Sequence, residues 1–266
     1  MTGRAAPPEP ALTFEGVSFS YGGCDLVLSD ATFSVPEGEF LVVIGPNGGG
    51  KTTLLKLALG LLEPLAGTVT LFGLPPREGG RLVGYVPQDA GRNRDFPITA
   101  LEVVLQGRLG RRSDGRGWRY DASDRDRAGA ALALMGMESF AHRPMGRLSQ
   151  GQRQRVLIAR GLAPDPRMLL LDEPLASIDQ ESRELLLSKL ASLAGEKTVV
   201  MVSHDLSAIS GHATAVACVD RSVHYHDSGE ISADLLEEAY GQCPVELIAH
   251  GIPHRVLAVH RTSDHD

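Results

Sequence analysis

Apolar residues recur along this chain with two spacings, one typical of strands and one typical of helices. Apolar and polar positions mix with strand-like spacing over 12–19 and, after a Gly-Gly turn, over 28–35. Unbroken apolar runs at 40–44, 168–171 and 198–202 have strand length and are typical of strands buried on both faces of a parallel sheet. Further strands are predicted at 67–72 and 82–86.

Helical spacing dominates the middle of the chain. Helices are predicted at 53–62, 98–109, 125–137, 152–162 and 181–194. Strand, helix and strand in succession, with apolar strands, predict an α/β doubly wound domain with a mainly parallel sheet and an antiparallel β edge. We therefore expect one domain over 1–232, with a helical sub-lobe inserted at about 96–162, and a separate C-terminal tail over 233–266.

Composition narrows the classes of function. The 266 residues are 42% hydrophobic and 22% charged, which is ordinary for a globular protein. A net charge of −7 argues against a nucleic-acid-binding protein, since those carry a basic excess. One local basic cluster is expected to be a solvated loop: Arg108, Arg111, Arg112, Arg116 and Arg119.

Neither disulfides nor membrane spans are predicted. Cys24, Cys218 and Cys243 lie far apart and form no C-x-x-C pair, which favours a reducing cytosol. The first ten residues lack the apolar segment of a signal peptide, and no run approaches the roughly 18 apolar residues of a membrane helix. Any association with a membrane is therefore expected to come through a partner.

A glycine-rich segment between the 40–44 strand and the following helix matches G-x-x-x-x-G-K-[ST]. Its glycines let consecutive N–H groups point at phosphate oxygens, and the helix N-terminus adds positive potential. Lys51 would contact the β- and γ-phosphates, and the Thr52 hydroxyl would bind Mg²⁺. The residues predicted to hold ATP here are Gly45, Pro46, Asn47, Gly48, Gly49, Gly50, Lys51, Thr52 and Thr53.

Two adjacent acids follow the 168–171 strand. Asp172 lies at the carboxyl end of that strand, where α/β sheets bind ligands, and a metal ion would offset the cost of burying its charge. Glu173, pointing the other way, would be free to activate water for attack on the γ-phosphate. The alternative is that both acids merely begin a turn before Pro174.

Leu148-Ser149-Gln150-Gly151-Gln152 resembles the LSGGQ signature of ABC transporter ATPases, and it lies between the two phosphate motifs as in that family. Ser149 suits a helix N-cap, and Gly151 would let a backbone N–H approach an anion. The resemblance implies a P-loop NTPase fold and a head-to-tail homodimer in which Ser149, Gln150, Gly151 and Gln152 close over ATP held by the other copy. Glycine is usual in place of Gln150, so a positive φ there would strain this residue and slow turnover.

Four single residues take roles by the same resemblance. Tyr21 would stack on adenine, although it could instead be core, and Gln88 would contact Mg²⁺ and mark the join to a membrane partner. Asp179 resembles the D-loop aspartate and also suits an N-cap, and His204 resembles the switch histidine that contacts the γ-phosphate. The expected catalytic residues are Glu173, His204, Lys51 and Gln88, and the expected Mg²⁺ ligands are Thr52, Gln88 and Asp172.

Segments 45–56, 96–108 and 240–251 resemble the zinc and manganese importer branch, most closely its zinc-uptake ATPases. This implies a membrane-spanning permease, a metal-binding extracytoplasmic protein and a place on the cytoplasmic face of the membrane. Importers of manganese, iron or iron–siderophore remain alternatives. So do an exporter ATPase, a soluble ABC ATPase of translation or DNA repair, and a subunit that binds ATP without hydrolysing it.

Histidine and cysteine crowd the end of the chain, and both are zinc ligands. A regulatory zinc site is one interpretation, since His224 and His226 alternate onto one strand face. Surface histidines in a variable tail are the other, because no compact ligand spacing is present. The residues concerned are His212, His224, His226, Cys243, His250, His254, His260 and His265.

Overall fold

The computed structural model describes residues 10–23, 25–88, 97–109, 120–204 and 212–227. Nine strands lie in these ranges: β1 (Leu12–Phe19), β2 (Leu28–Val35), β3 (Phe40–Ile44), β4 (Ala66–Leu71), β5 (Val83–Val86), β6 (Met168–Asp172), β7 (Thr198–Val202), β8 (Ala215–Asp220) and β9 (Ser222–His226). The described helices are α1 (Lys51–Ala58), α2 (Pro76–Gly79), α3 (Ala100–Gln106), α4 (Ala122–Leu134), α5 (Gln150–Leu162) and α6 (Gln180–Ala191).

The strands form two sheets. A six-stranded sheet has the order β5-β6-β7-β3-β8-β9, in which only β9 runs antiparallel to its neighbour. A three-stranded antiparallel sheet has the order β2-β1-β4. The mainly parallel core sheet and the antiparallel β edge are therefore as predicted.

Strand β3 shows how the chain builds a core on each face of the large sheet. Phe40, Val42 and Ile44 pack with the helices α3 to α6 on one face. Leu41 and Val43 point the other way, into a cluster with α1 and the antiparallel sheet. All five side chains are fully buried, which is why the run carries no polar residue.

Helix ends are set by capping residues more than by apolar spacing. Thr99, Asp121 and Ser149 each form a capping box at the N-terminus of a helix, so α4 and α5 begin before the predicted positions. Helix α1 ends at Ala58 rather than at residue 62, and Gly60 follows with φ +66°. Strand β8 was not predicted.

The expectation that Arg108 lies in a solvated loop is wrong. Its side chain is 13% exposed, and its guanidinium donates to Asp124 Oδ1 at 3.0 Å and to the Ala163 carbonyl at 3.4 Å. Arg108 follows α3, Asp124 lies in α4 and Ala163 follows α5, so this buried ion pair joins three helices. Arg111, Arg112, Arg116 and Arg119 lie outside the described residues.

No helix within the described ranges is both long and apolar enough to cross a membrane.

Candidate nucleotide site

The glycine-rich loop leaves β3 in a conformation that only glycine adopts readily. Gly45, Gly48 and Gly50 have φ values of +147°, +83° and +105°. A Cβ on Gly45 would lie 2.0 Å from the Val219 carbonyl oxygen, and one on Gly49 would lie 2.7 Å from the same atom. The loop is therefore fixed by φ requirements and by the backbone of β8 packed against it.

Val219 and Arg221 belong to the support of this loop, and the sequence analysis missed them. The Arg221 N–H donates to the Gly49 carbonyl at 3.3 Å, in addition to the close approach of Val219. The segment 219–221 carries no phosphate-binding pattern of its own. Its role follows only from the pairing of β8 with β3, which is visible in the fold.

Lys51 opens α1 and curls back over the loop. Its Nζ donates to the carbonyls of Gly45 and Pro46, both at 2.9 Å, and only 7% of the residue is exposed. Burial lowers the pKa of Lys51, and the charges of Glu173 and Asp172 oppose that shift. The result is an ammonium held beside the N-terminus of α1, where backbone N–H groups also favour an anion.

Thr52 and Asp172 meet at the end of β6. The Thr52 hydroxyl donates to Asp172 Oδ1 at 3.2 Å, and Asp172 is 3% exposed. Burial raises the pKa of the Asp172 carboxyl, while the hydrogen bond from Thr52 lowers it. A hydroxyl and a buried carboxylate side by side are oxygen ligands of the kind that Mg²⁺ prefers, and a cation would offset the buried charge, so these residues fit a magnesium ion.

Glu173 and His204 form a hydrogen-bonded pair beside these ligands. His204 Nδ1 lies 2.5 Å from Glu173 Oε2, with the glutamate side chain 10% exposed and the histidine 61% exposed. Glu173 was expected to continue the strand with its side chain reversed, but it leaves β6 with φ +51°. Its N–H donates to the Val202 carbonyl at 3.1 Å, so β7 holds this unusual backbone in place.

Tyr21 lies at the outer side of the P-loop helix and not in the core. Its side chain is among the exposed large apolar groups, at 61%. The hydroxyl shares a hydrogen bond of 3.1 Å with Thr53, and the ring meets Phe19 edge-on with 5.0 Å between centroids. The hydroxyl contact and the ring contact hold the Tyr21 ring in place while most of it stays exposed, so the ring is suited to stacking against a planar base.

The signature segment forms the start of α5. Ser149 Oγ accepts from the Gln152 N–H at 3.2 Å, and the Ser149 N–H donates to Gln152 Oε1 at 3.0 Å, which confirms the predicted N-cap. Gln150 is the first residue of the helix and does not have a positive φ. The expectation of backbone strain at Gln150 is therefore wrong, because the helical φ and ψ of this position are favourable for L-residues.

Gly151 has a packing role that the sequence did not indicate. A Cβ on Gly151 would lie 2.5 Å from Ser182 Cβ and 2.6 Å from Ser182 Oγ. The N-terminal turns of α5 and α6 are thus in contact, and Asp179 caps α6 by accepting from the Ser182 N–H at 2.9 Å. The signature segment and Asp179 therefore belong to one surface.

Replacing Gly151 with Ala should separate the two helix ends. We expect a loss of about 1–3 kcal/mol in the free energy of unfolding, because the added methyl overlaps a well-packed neighbour. The control is Gly129→Ala in α4, where nothing lies within 4 Å of the added Cβ. That change should stabilise the protein by up to about 1 kcal/mol, since it only improves helix propensity. Urea unfolding of both variants tests this, and equal midpoints would contradict the packing role.

The structure joins most of the expected site residues into one group and leaves others apart. The P-loop, Tyr21, Asp172, Glu173 and His204 lie at the carboxyl ends of β3, β6 and β7 and around the start of α1. Among described residues, no hydrogen bond links the signature segment or Gln88 to the P-loop, and Gln88 is an exposed residue just beyond β5. The signature segment and the P-loop are therefore separate parts of the described chain.

The zinc interpretation of the C-terminal histidines gains no support from the described residues. No group of three or more His, Cys, Asp or Glu side chains among them could hold a metal ion. His224 lies on the edge strand β9 within 3.1 Å of Ser222, and His212 lies 3.7 Å from Glu184. Cys243, His250, His254, His260 and His265 lie outside the described residues.

Comparison with known proteins identifies the family. The ABC transporter family model matches residues 28–176. A probable metal transport system ATP-binding protein of Chlamydia pneumoniae is 42% identical over 199 residues, covering 72% of this chain and 79% of that protein. The manganese transport system ATP-binding protein MntB of Bacillus subtilis is 41% identical over 181 residues, 68% of this chain and 72% of MntB. The zinc transport system ATP-binding protein TroB of Treponema pallidum is 37% identical over 221 residues, 81% of each chain.

Solved structures agree in fold. An ABC transporter of the metal-chelate type in an inward-facing conformation has a TM-score of 0.75 and 28% identity, covering 86% of this chain and 88% of that one. A dimeric bacterial ABC transporter cassette has a TM-score of 0.65 and 29% identity, covering 81% of this chain and 98% of that one. These matches confirm the predicted P-loop NTPase fold, and with the family model and the relatives they establish that this chain belongs to the ABC transporter family as an ATP-hydrolysing, ATP-binding subunit.

Proposed function

We propose that this chain powers import of a divalent metal ion, and that the ion is zinc, through a separate membrane-spanning subunit. The observation that supports the catalytic part is the Glu173–His204 pair beside the Thr52–Asp172 pair, at the edge of the sheet where the P-loop opens. Relatives at 37–42% identity are named for metal transport, with MntB named for manganese and TroB for zinc. Zinc against manganese is therefore the distinction to be tested.

The proposed reaction is attack of water on the γ-phosphorus of ATP. Glu173 takes a proton from the water as its oxygen bonds to phosphorus, the bond to the β-phosphate oxygen breaks, and ADP and phosphate leave. Lys51 and the P-loop N–H groups stabilise charge on the phosphates, and His204 orients Glu173 and contacts the γ-phosphate. Thr52, Asp172 and Gln88 would hold Mg²⁺, which neutralises charge on the β- and γ-phosphates when it is bound.

Two copies would complete the site. The signature surface and the P-loop are separate ends of one chain, so a head-to-tail dimer lets each cover the other. The capped N-terminus of α5 would then face the γ-phosphate held by the other copy, as an electrostatic contact supplied in trans. The dimeric cassette that this chain resembles is consistent with such an arrangement.

The membrane partner would place the chain on the cytoplasmic face of the membrane, with a metal-binding extracytoplasmic protein on the other side. Its docking site on this chain is proposed beside Gln88, where β5 ends at the border of the helical lobe. A movement of Gln88 on nucleotide binding would then be felt directly by the partner.

Uptake of Zn²⁺ and Mn²⁺ by metal-starved cells that depend on this chain tests the cargo. We expect cells with Glu173→Gln to lose zinc uptake and retain manganese uptake. Loss of manganese uptake alone would support the ATPase proposal but show that the cargo is manganese and not zinc. Normal uptake of both metals would overturn the metal proposal and favour a siderophore importer, an exporter or a soluble ABC ATPase.

A further inference from the structure

The C-terminus of α4 receives a positive charge from each of two other helices. Lys189 Nζ, from α6, donates to the Leu134 carbonyl at 3.1 Å. Arg155 Nη1, from α5, donates to the neighbouring Met135 carbonyl at 3.4 Å. Helix α4 carries no basic residue in its own last turn. The cations that the negative end of this helix favours are therefore supplied by α5 and α6.

The backbone at this helix end leaves room for both cations. Gly136 follows the cap of α4 with φ +65°, the left-handed conformation that commonly ends a helix. A Cβ on Gly136 would lie 3.0 Å from Lys189 Cε, 3.3 Å from Lys189 Nζ and 3.7 Å from Arg155 Nη1. In the part of the chain that the structure describes, no carboxylate pairs with either cation. Two like charges this close repel one another, so the α4 carbonyls are what holds them together.

Arg155 is the less favourable of the two groups for stability. It is 9% exposed, burial lowers the pKa of its guanidinium, and its Nε has no hydrogen-bond partner among the described residues. A buried charge with an unsatisfied N–H destabilises a fold, so stability alone does not account for this side chain. Arg155 lies in the helix that begins with the signature segment, which points to a role in placing that helix.

The contact at α4 is the second of two points that hold α5 against α6. The first is Gly151 packed on Ser182. Arg155 lies one turn further along α5, about 6 Å from Gly151. Lys189 lies two turns further along α6, about 10 Å from Ser182. One contact alone lets two helices pivot about it, whereas two contacts fix the direction in which α5 begins. That direction sets where the signature segment lies relative to Asp179 at the start of α6.

We propose that Lys189 and Arg155 are positioning residues for ATP hydrolysis, and that they hold the signature segment in the orientation that covers the nucleotide of a second copy. The inference rests on the proposed function, since it requires the head-to-tail dimer. The described hydrogen bonds of both side chains go to α4 and not to the P-loop, so both act through the placement of α5. Losing this contact should leave ATP binding by a single copy unchanged and weaken the ATP-dependent dimer.

Lys189→Met tests the inference, because methionine keeps an unbranched side chain of similar length and cannot donate to the Leu134 carbonyl. The parent is the full chain with Glu173→Gln, in which slow hydrolysis lets the ATP-bound dimer persist. Sedimentation equilibrium in excess Mg·ATP measures the dissociation constant of the dimer. We expect Lys189→Met to raise that constant by about tenfold or more, as for a lost hydrogen bond to a charged group. Lys189→Arg restores a donor and should recover most of the loss.

A second variant moves Lys189 without removing its charge. Gly136→Ala places a methyl against the lysine stem and should also weaken the dimer. Its matched control is Gly195→Ala, which has φ +91° and nothing within 4 Å of the added Cβ, so it adds backbone strain without displacing a side chain. Lys197→Met removes an ammonium bonded to Asp165 and the Pro166 carbonyl, and it controls for a general loss of stability. Both controls should dimerise like the parent.

Nucleotide binding completes the test. At protein concentrations where every chain is monomeric, all variants should bind a fluorescent ATP analogue like the parent. Lys189→Met and Gly136→Ala dimers with the parent dissociation constant would overturn this inference and leave the head-to-tail dimer standing. An equal loss in Lys197→Met or Gly195→Ala would also overturn it, because the effect would then follow general stability. A parent chain that binds Mg·ATP and stays monomeric would overturn the proposed dimer and this inference with it.

Discussion

Replacing Glu173 with Gln should lower the rate of ATP hydrolysis by about 10²–10⁴-fold while leaving ATP binding intact. Glutamine keeps the length of the side chain and can still accept from His204, which now lies 2.5 Å from the carboxylate. It cannot accept a proton from water. Because the Lys51 and Thr52 contacts are untouched, Mg·ATP should accumulate and hold two copies together in a closed dimer.

Single-turnover hydrolysis and size-exclusion chromatography in excess Mg·ATP measure both effects. Glu181→Gln is the matched control, since Glu181 is an exposed acid in the first turn of α6 and should leave rate and dimerisation unchanged. A Glu173→Gln variant that hydrolyses ATP at the wild-type rate would remove Glu173 from the chemistry. One that stays monomeric with ATP bound would contradict the head-to-tail arrangement.

The strands that position the site were predictable because burial on both faces requires an unbroken run of apolar residues. Phe40–Ile44 and Thr198–Val202 have the predicted bounds, and every side chain in them is buried. Asp172 stands at the end of a third such strand, where the first polar residue marks the sheet edge. The P-loop was predictable for a related reason, since its phosphate chemistry depends on local glycine φ values that the sequence displays directly.

Contacts between distant segments were not predictable from spacing. Nothing in the sequence places Val219 against Gly45, Ser182 against Gly151, or Asp124 against Arg108. Each contact depends on which elements become neighbours, and the sequence separations are long. The conformation of Glu173 was missed for a similar reason, because its positive φ is held by a hydrogen bond to β7 and not by its own side chain.

These missed contacts share a function in the fold. Gly45 against Val219 fixes the P-loop, while Gly151 against Ser182 joins the signature surface to α6, the helix that follows the acids. Close packing against these two glycines thus orders both the P-loop and the signature surface. The short segment from Pro174 to Asp179 joins Glu173 to that surface along the chain.

Replacing Lys51 with Ala should abolish useful nucleotide binding, with a loss in affinity of about 10²-fold or more. A charge-assisted hydrogen bond contributes about 1.5–3 kcal/mol, and Lys51 would make such contacts to two phosphates. Lys51→Arg should also bind poorly, since the 7% exposure of Lys51 leaves little room for a larger, planar group. The fold should survive the alanine change, because removing a buried ammonium relieves a desolvation cost that offsets its hydrogen bonds to Gly45 and Pro46.

Calorimetric titration with Mg·ATP measures the affinity, and thermal unfolding without nucleotide measures the fold. Lys197→Ala is the control, since that ammonium binds Asp165 and the Pro166 carbonyl at the amino ends of β6 and β7, opposite the P-loop. It should bind ATP like the wild type. If Lys51→Ala bound ATP within about threefold of the wild type, P-loop N–H groups alone would account for phosphate binding, and the two hydrogen bonds of Lys51 to the loop would then indicate a structural role for this residue.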